Sequence, residues 1–114
     1  MLNYDVNDIK EKITTDAVFE IVHDLNGEPR WTDFGFISAT ICHNLAGEGS
    51  HKLYYYENTQ LFRCYTGCDS TFDIFGLLLK VKLLSQPDSE WTLNDAVRWI
   101  ASRLGIIPRD IDEL

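Results

Sequence analysis

The chain has 114 residues, 45% hydrophobic and 12% aromatic, enough for one core and too few to divide comfortably into two. Ten Lys and Arg against 18 Asp and Glu leave a net charge of −8, which argues against a protein that coats nucleic acid by counterion release alone. No apolar run approaches membrane-spanning length, and the N-terminus Met1-Leu2-Asn3-Tyr4-Asp5 lacks the basic and apolar regions of a signal peptide, so a soluble, cytoplasmic protein with no membrane partner is expected.

The charge is uneven. Residues 1–50 carry three basic and nine acidic side chains, residues 51–82 four and three, and residues 83–114 three and six. Only the middle segment escapes the acidic excess, so it is the part suited to meet a phosphate backbone.

Residues 1–13 read as a polar lead-in or a short helix around Ile9 and Ile13. From Thr14-Thr15, the spacing of Val18, Ile21, Val22 and Leu25 predicts an amphipathic helix capped by threonine and ended by Asn26-Gly27. Asp16, Glu20 and Asp24 fall on its outer side, where a solvated face is a simpler reading than an acidic docking face. Trp31 to Ile41 is rich in aromatic and β-branched residues and predicts an extended strand or hairpin arm running into Cys42. A loop with Gly47 and Gly49 follows. Lys52 to Tyr56 and Leu61 to Cys64, separated by a turn at Glu57-Asn58-Thr59, predict a hairpin that leads into the knuckle Cys64-Tyr65-Thr66-Gly67-Cys68.

Asp69-Ser70-Thr71 could cap a helix beginning near Phe72, which Gln86-Pro87-Asp88-Ser89 would end. Leu93, Ala96, Val97, Ile100, Ala101 and Leu104 predict a closing helix over 92–104, with Thr92 and Asp95 as a capping pair and Gly105 as its stop.

Three cysteines, two of them four positions apart, suit a metal site in a reducing compartment better than a disulfide framework. A short turn delivers two thiolates, Cys64 and Cys68, to one point, with Gly67 to let the chain bend tightly. Cys42 offers a third. The fourth corner falls to His51, across a loop from Cys42, with His43 as the alternative. Successive side chains of an extended strand point apart, which disfavours Cys42 and His43 on one ion. Three protein thiolates and an imidazole select zinc, in a structural role because no position is left open. The competing possibility is that the cysteines are small core hydrophobes.

Cys42-His43, His51 to Tyr56, Leu61 to Cys68 and Phe72-Asp73-Ile74-Phe75 together resemble the Cys-His-Cys-Cys zinc domain of bacterial and phage DNA primases. The likeness extends through Leu93 to Val97 and Arg103-Leu104-Gly105-Ile106, and covers residues 31–107. The sequence departs from that pattern in two places: the first Cys and His are adjacent or widely spaced, and three residues separate the last two cysteines.

The expected fold is α+β, a small antiparallel zinc-ribbon-like sheet packed with three or so helices. One domain spans 1–107, with the ribbon core at about 31–82, and 108–114 form a tail or the start of a linker. The resemblance implies a domain that works on the single-stranded DNA template during RNA primer initiation. A polymerase domain would follow Leu114 or act as a separate protein, and a replicative helicase is a further expected partner.

Single strands are held by aromatic platforms and by Lys or Arg, and the candidate contacts are Lys52, Tyr54, Tyr56, Arg63 and Tyr65, with Lys80 and Lys82 weaker. No catalytic residues are expected in this chain, since the one suggestive acidic pair, Asp110-Ile111-Asp112, lies in the tail. Two alternatives remain. One is a zinc-stabilised interaction or regulatory module of a phage or mobile element that binds a basic partner through the acidic half, and the other is a Cys64–Cys68 redox switch.

Overall fold

The computed structural model describes residues 2–45, 47–106 and 109–110, with the backbone alone for residues 2, 3, 109 and 110. Helix α1, Val6–Lys12, starts where the Asp5 carboxylate accepts hydrogen bonds from the N–H groups of Asn7 and Asp8 at 3.0 and 3.4 Å. It buries Ile9 completely and leads to buried Ile13, so the lead-in belongs to the core. Helix α2, Thr15–Asp24, is capped by Thr14, whose hydroxyl accepts from the Ala17 N–H at 3.1 Å, and it buries Val18, Ile21 and Val22.

The segment expected as an extended strand or hairpin arm holds a short hairpin of its own, β2, Arg30–Trp31, and β3, Gly35–Ser38. Gly35 makes the reversal possible: its φ is +151°, and a Cβ there would lie 2.3 Å from the Tyr55 carbonyl oxygen. Past Ser38 the chain leaves the sheet, so Cys42 lies in a turn and not on a strand.

Strands β4, Leu53–Tyr56, and β5, Leu61–Cys64, form the expected hairpin, with Leu53 opposite Cys64, Tyr54 opposite Arg63 and Tyr55 opposite Phe62. Strand β6, Thr71–Phe72, lies where the start of a helix was expected. Phe72 pairs with Phe62 in register and stacks on its ring, which holds the two residues extended. Asp73 then caps helix α3, Ile74–Ser85, by accepting from the Gly76 N–H at 2.9 Å. Helix α4, Leu93–Leu104, carries the expected Thr92–Asp95 capping box and ends at Gly105 with φ +73°.

The strands form a five-stranded antiparallel sheet in the order β2-β3-β4-β5-β6. A separate pair joins β1, Leu2–Asn3, to β7, Arg109–Asp110, so part of the expected tail is paired. Pro108, Ile111 and Asp112 lie outside the described residues. The fold is α+β, with four helices among the described residues where three or so were expected.

The sheet has two unlike faces because side chains alternate along each strand. On one face, Phe36, Tyr55 and Phe62 run side by side, Tyr55 with ring centroids 4.9 Å from Phe36 and 4.7 Å from Phe62. All three are buried with Leu53 and Cys64 in the core that α2 and α3 complete, and α4 packs on α3. Each such ring stabilises the fold by about 2–3 kcal/mol on burial. The opposite face presents Tyr54, Tyr56 and Arg63, each half-buried. No described helix is long and apolar enough to cross a membrane.

Candidate metal centre

The site is assembled from a turn and a knuckle. The amides of His43 and Asn44 both donate to the Thr40 carbonyl, at 3.2 and 3.0 Å, and wind residues 40–44 into a helix-like turn. The Asn44 side-chain amide reinforces this by donating to the Thr40 hydroxyl at 2.9 Å. Opposite it, β5 delivers Cys64, whose N–H donates to the Ser70 carbonyl at 3.1 Å, while the Asp69 N–H donates to the Thr66 carbonyl at 3.1 Å. These bonds close the knuckle and turn Cys68 back towards Cys64.

The ligand atoms of Cys42, His43, Cys64 and Cys68 all lie within 4.8 Å of one another, close enough to hold one metal ion. His43 Nδ1 stands 3.3 Å from Cys42 Sγ, 3.4 Å from Cys68 Sγ and 3.7 Å from Cys64 Sγ. The other ring nitrogen, Nε2, meets the Thr66 hydroxyl at 3.5 Å, a contact suited to orienting the imidazole. All three cysteines are free of disulfides.

His51, the preferred histidine on loop geometry, lies elsewhere: its Nε2 contacts the Glu28 carbonyl at 3.1 Å. His43 takes its place beside Cys42. The expectation that neighbours point apart assumed an extended strand, whereas in a helix-like turn successive side chains are rotated by only about 100°. Gly67 also has a role beyond the one expected in the turn. Its backbone is not left-handed, but a Cβ on it would come within 2.9 Å of the His43 ring. Its missing side chain is the space that the imidazole occupies. His23 is exposed beside Asp24.

Electrostatics separates the thiols. Burial works to raise the Cys64 thiol, but hydrogen bonds from the Thr66 backbone and hydroxyl and from the Cys68 backbone outweigh it and pull it down to about 7. Burial pushes the Cys42 thiol far up, helped by hydrogen bonding to Cys68 and by the charges of Cys64 and Cys68. A bound cation would offset the repulsion between thiolates held this close.

The second surface adjoins this one through β5 and the knuckle. Tyr54 and Tyr65 meet edge to face at 4.9 Å, and the hydroxyls of Tyr56 and Tyr65 are 2.6 Å apart. That hydrogen bond, with some burial, pushes Tyr56 up to about 12. The Arg63 guanidinium lies 5.6 Å from the centre of the Tyr65 ring and pairs with Asp69. Lys52 is exposed just before β4, and its carbonyl accepts from the Tyr65 N–H at 3.0 Å.

Sequence reasoning missed Phe34, which stacks on Tyr54 at 5.6 Å and lies 5.0 Å from Tyr56. Its position before Gly35, the cross-strand partner of Tyr56, was the available signal. Lys80 sits over the Phe72 ring and Lys82 over Trp91 and Trp99, so both pack against aromatic rings away from Tyr54 and Tyr56.

The chain is 38% identical over 106 residues to the SPbeta prophage-derived uncharacterized protein YorJ of Bacillus subtilis (strain 168). The match takes in 91% of this chain but only 27% of that protein, so the chain spans about a quarter of its relative's length. No family model and no solved structure matches.

Proposed function

We propose that this chain is the zinc-binding, template-contacting domain of a DNA primase of phage type, and that it does no catalysis itself. Cys42, His43, Cys64 and Cys68 hold a structural zinc. The donor set fits: zinc–sulfur bonds near 2.3 Å and zinc–nitrogen bonds near 2.0 Å at tetrahedral angles put nitrogen about 3.5 Å from each sulfur. The Nδ1 to Sγ distances of 3.3, 3.4 and 3.7 Å cluster around that edge length.

One observation carries the functional half: the metal cluster and the aromatic face share their backbone. Arg63 immediately precedes Cys64, and Tyr65 rides inside the Cys64–Cys68 knuckle beside Tyr54 and Tyr56. Aromatic rings interleaved with Arg63 and Lys52 suit the bases and phosphates of a single strand, with stacking worth about 1–3 kcal/mol per base. Polymerase chemistry belongs to another domain, for which the longer prophage-derived relative has ample length.

Metal analysis and titration of the full chain with labelled single-stranded DNA at rising salt test this reading. One equivalent of zinc and weak, salt-sensitive binding are expected, with binding lost on charge reversal of Lys52 and Arg63. Absence of zinc removes the whole assignment. Zinc without single-strand affinity, even with a polymerase domain supplied, removes the functional half. A second reading, an interaction module for a basic partner, draws on the exposed Asp16 and Glu20 of α2. It requires partner binding that survives the Lys52 and Arg63 reversals.

A further inference from the structure

Arg63 lies directly across from Tyr54 on the aromatic face, yet it is already engaged. Its Nη2 donates to Asp69 Oδ1 at 2.6 Å, the short distance of a charge-assisted hydrogen bond. The knuckle is also held by bonds of its own backbone. The Cys64 to Ser70, Asp69 to Thr66 and Tyr65 to Lys52 backbone bonds already close it. The pair is also open to water, with 78% of the Asp69 side chain and 34% of the Arg63 side chain exposed, and such pairs stabilise a fold little.

We propose that Asp69 is an internal competitor for the nucleic-acid backbone, its carboxylate occupying the position on Arg63 that a phosphate oxygen must take. The proposal rests on reading this face as the single-strand surface and adds what sets its affinity. A strand binds by exchanging one anionic acceptor for another: Arg63 releases Asp69, and Asp69 turns to water. The exchange weakens the complex and keeps it reversible. It also blunts the salt response, because the released carboxylate regains counterions as the phosphate loses its own.

The test is Asp69→Asn in the full chain. Asp69 has φ +41°, and asparagine tolerates that left-handed backbone, so the carboxylate is removed with little strain. Binding of a fluorescent oligothymidylate is measured by anisotropy over a series of salt concentrations. D69N should tighten binding about two- to five-fold at low salt, the worth of an exposed ion pair. It should also steepen the log–log salt slope by up to about 0.7, one single-strand phosphate's share. Both effects should vanish in an Arg63→Gln background, with zinc content unchanged.

Unchanged affinity and slope in D69N, while Arg63→Gln still weakens binding, overturn the role of Asp69 and leave the strand surface standing. If neither wild type nor D69N binds the oligonucleotide, the surface and the competitor fall together. Loss of zinc in both Asp69→Asn and Asp69→Gly makes Asp69 a staple of the knuckle and equally overturns the proposal.

Discussion

The imidazole of His43 fits the cluster because two neighbours give way to it. Thr40 accepts the amides that wind the turn, and Gly67 leaves open the space against which the ring lies. Three substitutions separate these roles, each read as zinc affinity in competition with a chromophoric chelator. His43→Ala removes a ligand and should abolish stoichiometric binding at micromolar protein. Gly67→Ala puts a methyl group 2.9 Å from the ring and should weaken zinc about 10- to 100-fold, the usual effect of disturbing a ligand's support. His51→Ala should leave zinc affinity unchanged, and retained affinity in H43A with loss in H51A would reverse the ligand assignment. The paired cysteines were legible at their spacing because a knuckle is local. The histidine was legible only as a choice that put His51 before His43, because Thr40-Ile41-Cys42 has the composition of a strand, and the two bonds to Thr40 that bend it are invisible in composition.

At the scale of elements, caps and periodicity marked the helices with strong local signals. Thr14, Thr92 with Asp95, and Gly105 all stand where hydrogen bonding to the first turn or a left-handed end requires them. The two-residue strands β2 and β6 carry no such signal, since two residues become a strand only when a partner such as Phe62 or Phe36 is already in place. Helix α1 lies between these cases: Asp5 caps it locally, but its burial depends on the rest of the fold. Ile9 has 0% exposure, so Ile9→Ala should cost about 2–5 kcal/mol. The urea midpoint should fall at unchanged slope. A loss below about 0.5 kcal/mol would return residues 1–13 to the status of a loose lead-in.

For the whole molecule, the question is whether the core or the metal decides folding. The sheet and helices enclose a continuous apolar cluster from Ile9 to Ala101, so the chain has a core of its own. That core includes Cys42 and Cys64, and their sulfurs face Cys68 and His43 at the end of β5. A domain of this size is stable by about 5–15 kcal/mol, and a structural zinc contributes about 10–16 kcal/mol of apparent binding free energy at neutral pH. Terms so close in size mean that chelation should remove most of the margin. The melting midpoint followed by circular dichroism should fall by at least about 10 °C with EDTA and recover on adding zinc. Oligonucleotide binding should disappear with it, since Arg63 and Tyr65 flank Cys64. If the midpoint holds while binding is lost, the core suffices for the fold and the metal shapes only the strand-facing edge. If both persist after zinc is shown to be absent, Cys42, His43, Cys64 and Cys68 are packing residues, and the aromatic face must be explained without them.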